Sequence, residues 1–300
     1  MQCRIPAVLA ASALLALPAA APAQVRVTSQ QTVGGFVHVE SVSYDPAAKA
    51  LYLSEFGTAQ LNPLLKDGMG RIVKTDLNGK VLDKQFLPAA GGEKLNKPKG
   101  NWVQGDRFWV TDIDVVWVFD LKTKKGRKLA LPGAQFANDS AVMDGALYVS
   151  DNRSDQVYKI EPADFLHHKG EPKVTSMFFG KGVNPNGVYP ARDGELLMAG
   201  YLPPSNPKGF YTLGVSGQVK AISDPIGFLD GLYQMADGSL LATDWKSGSL
   251  FHWSEKGGMQ KLADGFKGPA DFCVFPVAGG LTVVVPDLVQ GQLRFVQLRK

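Results

Sequence analysis

One phrase returns along this chain about every forty to fifty residues, and it constrains the fold more than any other feature. The copies are "HVESVSYDPAAKALYLSEF" (38–56), "KPKGNWVQGDRFWVTDID" (97–114), "FANDSAVMDGALYVSDN" (136–152), "NPNGVYPARDGELLMAG" (184–200), "FLDGLYQMADGSLLATDW" (228–245) and "GPADFCVFPVAGGLTVVVPDL" (268–288). Each holds a small or polar pair, a short apolar strand, a turn and a second strand. Such a period belongs to propeller blades. Four of the second strands end in an acid, at Asp112, Asp151, Asp244 and Asp287; the first ends near Glu55, and the fourth has none. These acids are expected to bond turn amides between blades.

Two further strand-like runs follow most copies, as in "GRIVKTDLNGKVLDKQFL" (70–87) and "VWVFDLKTKKGRKLAL" (116–131). Long amphipathic helical patterns are hard to find. β-branched and aromatic runs alternate with Gly- and Pro-containing turns throughout, as in an all-β protein. Two hairpins per repeat make a four-stranded antiparallel blade, and six blades around a central channel make a six-bladed β-propeller. The last copy is one strand short. "VRVTSQQTV" (25–33) is expected to supply it and close the ring. Residues 24–300 thus form one domain with no linker. An insertion in the first repeat, "GTAQLNPLLKDGMG" (57–70), lines one mouth of the channel or is a plain surface loop.

Residues 1–23 are expected to be a cleaved signal peptide. A basic start, the apolar run "IPAVLAASALLALPAA" and the A-x-A site at Ala21–Ala23 are its three parts. The run is short for a membrane span, and Cys3 precedes it where a lipid-anchor cysteine would follow. The expected compartment is periplasmic or secreted, with no membrane anchor. Cys273 alone remains in the mature chain, so stability must come from a core; it reads as a buried small hydrophobe. The net charge of +4 is spread along the chain. The basic run at 122–128 reads as a solvated turn, and no nucleic-acid partner is expected.

Aligning the copies on the pair before the first strand gives Glu40, Lys99, Asn138, Asn186, Asp230 and, in an ambiguous register, Ala270 or Asp271. Asn186-Gly187 alone reads as a turn. Glu and Lys are poor turn residues, so a turn does not explain the set. The set supplies two carboxylates and two amide carbonyls from four blades. Hard divalent cations take oxygen ligands of this kind.

On these motifs the chain resembles the senescence marker protein / gluconolactonase / luciferin-regenerating enzyme group of six-bladed propellers, and more distantly paraoxonase and diisopropylfluorophosphatase. Glu40 in "VESVSYDP" resembles the family's first-blade Glu. Asn138 in "ANDSAV", Asn186 in "PNGV" and Asp230 in "LDGL" resemble its N-D, P-N-G and P-D-G motifs. Ser41-Val42 replaces the Gly-Pro that often follows the family's Glu, and Lys99 fills the second-blade place. The resemblance implies an axial divalent metal held by Glu40, Asn138, Asn186 and Asp230, with calcium first and zinc or magnesium as alternatives. It implies a lactone or ester substrate, lactones of sugar acids leading, with Asp230 as ligand and general base. Lys99 would stabilise an oxyanion or pair with a substrate carboxylate. His38, Asp139 and Asp271 would support the ligands or touch substrate; a hydrogen-bonded rim position is the plainer reading of His38. The alternative is a non-catalytic propeller that binds a ligand or protein around a structural calcium. A monomer is the expected state.

Overall fold

The computed structural model describes residues 25–178, 180 and 182–299. The leader and its cleavage site lie outside the described residues. All regular elements among the described residues are strands, twenty-four in number. The first, β1 (Arg26–Gly34), stands apart from its sequence neighbours. Blade 1 is β2 (Val39–Asp45), β3 (Ala50–Glu55), β4 (Arg71–Asp76) and β5 (Val81–Leu87). Blade 2 is β6 (Pro98–Gln104), β7 (Arg107–Asp112), β8 (Val115–Asp120) and β9 (Gly126–Ala130). Blade 3 is β10 (Ala137–Met143), β11 (Ala146–Asp151), β12 (Gln156–Glu161) and β13 (Lys173–Phe178). Blade 4 is β14 (Pro185–Pro190), β15 (Leu196–Gly200), β16 (Phe210–Leu213) and β17 (Val219–Ala221). Blade 5 is β18 (Leu229–Gln234), β19 (Leu240–Asp244), β20 (Ser249–Ser254) and β21 (Gly258–Ala263). Blade 6 is β22 (Cys273–Val277), β23 (Gly280–Asp287) and β24 (Gln292–Arg299), completed by β1.

Six four-stranded antiparallel sheets therefore form a six-bladed β-propeller, and strands from both ends of the chain close the ring as the sequence predicts. β1 pairs with β24 from Arg26↔Arg299 to Gly34↔Gln292. The apolar residues do not converge on one centre. They form six layers, each between two neighbouring blades. Leu147, Val149 and Ile160 of blade 3, for example, pack on Trp109, Val116 and Val118 of blade 2. Each strand pair turns both faces to a neighbour, which is why the second strands read as nearly continuous apolar runs. Cys273 lies buried in the layer between blades 6 and 1, where burial pushes its thiol pKa up.

The strand-terminal acids bond the connection that enters their own blade. Asp112 accepts from the amides of Asn96 at 2.8 Å and Lys97 at 2.7 Å. Asp151 takes Gln135 and Phe136, Asp244 takes Phe228, and Asp287 takes Lys267 and Gly268. Glu55 reaches Val37 in the same way. Where the fourth repeat lacks the acid, Asp155 of the preceding blade holds the amides of Gly182 and Asn184. Asp112→Ala orphans one buried and one half-buried amide and is expected to cost about 2–4 kcal/mol. Urea unfolding measures it; a loss within error of zero would mean the clamp carries nothing.

Candidate functional site

The ring residues occupy a β-bulge that recurs where each innermost strand begins. In blade 3 the pairing jumps from Ala137↔Asp151 to Ser140↔Val149, leaving Asn138 and Asp139 against one partner residue. Blades 4 and 5 repeat it at Asn186-Gly187 and Asp230-Gly231. Blade 2 does so at Lys99-Gly100, and blade 1 places its shift at Glu40. A bulge lets two consecutive residues escape the strict alternation of a strand. Blade 6 fits the same frame: Pro269↔Asp287 matches Ala137↔Asp151, so Ala270 takes the ring place and Asp271 matches Asp139.

Two layers follow from this register. The first bulge position gives Glu40, Lys99, Asn138, Asn186, Asp230 and Ala270. The first five of these line one cavity of about 470 Å³. The second position gives Ser41, Gly100, Asp139, Gly187, Gly231 and Asp271. Asp139 and Asp271 face a separate cavity of about 210 Å³, bordered also by Trp102, Tyr189 and Tyr233. Asn186-Gly187 is therefore no hairpin turn. The glycine has another purpose: a Cβ on Gly187 would come within 2.0 Å of the Asp230 carbonyl oxygen, and one on Gly100 within 2.3 Å of Asp139 Cα. The neighbouring blade's backbone occupies the space of a side chain.

Hydroxyls lock the ring from behind. Thr111, Ser150 and Thr243, each next to last in its blade's second strand, donate to the carbonyls of Asn138, Asn186 and Ala270 in the following blade. The ring closes where the Asp271 amide donates to the Glu40 carbonyl at 3.1 Å.

The ring side chains are buried. Trp245 Nε1 donates to Asp230 Oδ2 at 2.7 Å. Asn186 Nδ2 donates to the Leu229 carbonyl at 3.2 Å, while its Oδ1 has no partner. Glu40 Oε2 is likewise buried without a partner. Lys99 Nζ sits over the Phe136 ring at 4.5 Å and donates to the Lys97 carbonyl at 3.3 Å. Burial, then the charge of Asp271, pushes the Asp230 pKa up to about 8. Burial pushes Asp271 up to about 7. Burial and neighbouring carboxylates raise Glu40 and Asp139 well above the usual range. Burial lowers Lys99 to about 8 against the pull of Glu40.

These features fit a hard cation. Oxygens come from four blades to one cavity, two of them lack any other bond, and within the ring two carboxylates stand against one lysine. Among the described residues no three His, Cys, Asp or Glu side chains gather as a metal-holding group.

His38 takes the hydrogen-bonded rim position, the plainer of its two readings. It precedes β2 with φ of 55°, so its ring does not share the strand face of Glu40. Its ring nitrogens instead meet the carbonyls of Leu288 at 2.9 Å and Ala59 at 3.0 Å. Asp139 and Asp271 accept bonds from Ser140, Val188, Ser41 and Phe272, none of them a ring ligand. Both lie near the ring only as charges.

Sequence reasoning missed the upper wall of the cavity, although a signal existed. The residue after each second strand lines it in five blades: Phe56, Asn152, Tyr201, Trp245 and Leu288. Arg153 stands beside Asn152, with its guanidinium carbon 4.8 Å from the Phe136 ring centre. Insertion 57–70 reaches the same mouth through Leu61 and Pro63. It is fastened by buried Lys97, whose Nζ pairs with Asp67 at 2.7 Å.

No protein-family model matches the sequence, and no curated protein matches it. Solved structures do share the fold. A gluconolactonase from Xanthomonas campestris is 15% identical with a TM-score of 0.63, covering 91% of this chain and 91% of that one. A candidate gluconolactonase is 16% identical with a TM-score of 0.64, covering 93% and 94%. Virginiamycin B lyase from Staphylococcus aureus, in a catalytically inactive form with quinupristin, is 12% identical with a TM-score of 0.61, covering 90% and 99%.

Proposed function

We propose that this propeller is a metal-dependent hydrolase of lactones or esters, working in the cavity ringed by Glu40, Lys99, Asn138, Asn186 and Asp230. The observation that carries the reading is the pair of buried, unpartnered oxygens, Glu40 Oε2 and Asn186 Oδ1, in one cavity with the Asp230 carboxylate. Glu40, Asn138, Asn186 and Asp230 would hold a divalent cation, calcium first. Bound there, it would polarise a carbonyl and acidify a water. Asp230 takes the proton of the attacking water, its second oxygen kept in place by Trp245. The Lys99 ammonium, held against Phe136, faces the charge that grows on the carbonyl oxygen. The apolar rim restricts water around the reacting bond. The gluconolactonases among the structural neighbours lend support by fold.

Metal analysis of the purified protein, followed by a lactone and ester panel with and without chelator, tests this. Bound calcium and chelator-sensitive ring opening are expected. No metal and no turnover on any member would sink it. Product mass separates the chemistry: hydrolysis adds one water, whereas the elimination of a lyase leaves the mass of the ring-opened product unchanged.

Stability should depend on pH in the reverse of the usual carboxylate sense. The folded pKa values of Asp230, about 8, and Asp271, about 7, lie above the unfolded value of 3.8. The folded chain then keeps protons that the unfolded chain has released. This stabilisation is complete below about pH 4 and is lost as pH rises through 7 and 8. Lys99 acts in a higher window, between about 8 and the ordinary lysine value of 10.5. In chelator, the melting temperature should fall by several degrees from pH 5 to pH 8, and added calcium should reverse most of the fall. A calorimetric profile that is flat or rising in chelator would contradict the charge cluster.

A further inference from the structure

The walls of the candidate active cavity are divided by blade. Blades 2 and 3 supply its mostly polar arc, with Lys99, Asn138, Asn152 and Arg153 around the Phe136 ring. Blades 4, 5, 6 and 1, neighbours around the ring, supply Tyr201, Leu202, Pro203, Trp245, Leu288 and Leu61, a mostly apolar arc. The arc runs out onto insertion 57–70. Eight large hydrophobic residues are exposed among the described residues, and four belong to this loop: Leu61 at 39%, Leu64 at 36%, Leu65 at 41% and Met69 at 50%. The other four are scattered at Leu82, Val215, Met259 and Val289.

Slack does not explain this exposure, because the loop is tied at several points. His38 holds Ala59 at 3.0 Å, Asn96 Oδ1 holds the Gly68 amide at 3.1 Å, and Lys66 pairs with Asp114 at 2.6 Å. Lys97, fully buried, pays its desolvation to anchor Asp67. The chain thus presents leucines to water on a fastened support, at the rim of the cavity. Several large apolar side chains held exposed on one fastened loop, one of them lining the cavity, mark a place where something apolar is bound.

We infer that the substrate is a lactone or ester carrying an unbranched apolar chain, with its carbonyl toward Lys99 and Asp230 and its tail along the Leu202–Trp245–Leu288–Leu61 arc onto loop 57–70. The inference rests on the hydrolase reading above and departs from sugar-acid lactones, whose hydroxyl groups would lose water against this arc without gaining partners. A tail of rising length buries one more methylene per step, so selectivity should climb by roughly two- to threefold per carbon while the tail remains on the arc.

The test is a series of γ-lactones from the unsubstituted ring to one bearing an octyl tail, with kcat/KM measured for the wild type, Leu61→Ser and Leu64→Ser/Leu65→Ser. The octyl-to-unsubstituted ratio should be large in the wild type and about tenfold smaller in Leu61→Ser. Calorimetric titration with octanamide and acetamide, which the enzyme need not cleave, supplies a second reading. Octanamide should bind at least about tenfold more tightly. Tight octanamide binding without turnover of any lactone would overturn the hydrolase reading and leave the tail site standing. Turnover with no dependence on chain length, and no preference for octanamide, would overturn the tail site and leave the hydrolase standing. Association with phosphatidylcholine vesicles that Leu64→Ser/Leu65→Ser abolishes, with the chain-length ratio unchanged in both variants, would make the loop a membrane contact and also overturn it.

Discussion

Asp230→Ala should reduce kcat/KM for lactone or ester by about a thousandfold or more while the protein remains folded. The residue sits at the first position of a bulge, where its side chain serves the cavity and not a sheet. Its carboxylate accepts from the Trp245 indole at 2.7 Å and from the Asn186 side chain, and losing the indole bond costs about 1 kcal/mol. Removing it also relieves its repulsion with Glu40. Melting temperature in chelator should therefore hold or rise, although the same substitution ends catalysis. Asp230→Asn retains an acceptor for Trp245 but can neither take a proton nor balance a cation, so it should be as inactive as Ala. Steady-state kinetics, paired with melting in chelator, checks both. A variant that keeps activity would remove Asp230 from the mechanism. One that loses activity only by unfolding would make the residue structural.

Removing the chain up to Gly34 should lower the melting temperature by about 10 °C or more and promote self-association. β1 is mostly exposed, and its side chains look dispensable. Its backbone is not, because it covers β24 over the whole length of that strand. Without β1 the sixth blade is a three-stranded sheet whose outer strand offers a row of unpaired amides and carbonyls. Val25, buried between blades 5 and 6, is lost as well, along with the bond from Gln260 Nε2 to the Val25 carbonyl at 2.8 Å. Calorimetry and light scattering measure the two effects. A truncated chain that melts unchanged and stays monodisperse would show that closure through β1 is not needed.

The repeat was legible in the sequence because each blade forms locally. Alternating apolar residues and short turns act within some forty residues, so six copies announce six blades, and a missing last strand announces the one at the N-terminus. The strand-terminal acids were legible for the same reason, although their partners proved to be the incoming connection of their own blade. The ring set was legible as a column of residue types: Glu40, Asn138, Asn186 and Asp230 fall in one place in successive copies, and the structure carries all four, with Lys99, to one cavity.

What the sequence left open was which way each side chain faces. One extra residue in a strand exchanges its two faces, and whether the extra residue is accommodated as a bulge depends on the neighbouring blade. Asp139 and Asp271 read as companions of the ring, yet the bulge turns them into the opposite cavity. Asn186 read as a ring residue and, taken alone with Gly187, as a turn; Gly187 is small because the Asp230 backbone of the next blade lies against it. His38 lies two residues before Glu40, a spacing that would put both on one face of a regular strand, yet the chain kinks between them. The apolar arc over the cavity is assembled from single residues of four blades, far apart in sequence, so no local pattern could reveal it. Composition and period determined the propeller and the residue types of its ring, because those depend on contacts within a repeat. Only the packing of blade against blade decided which residues share a cavity, because that depends on backbones that meet across the whole circle.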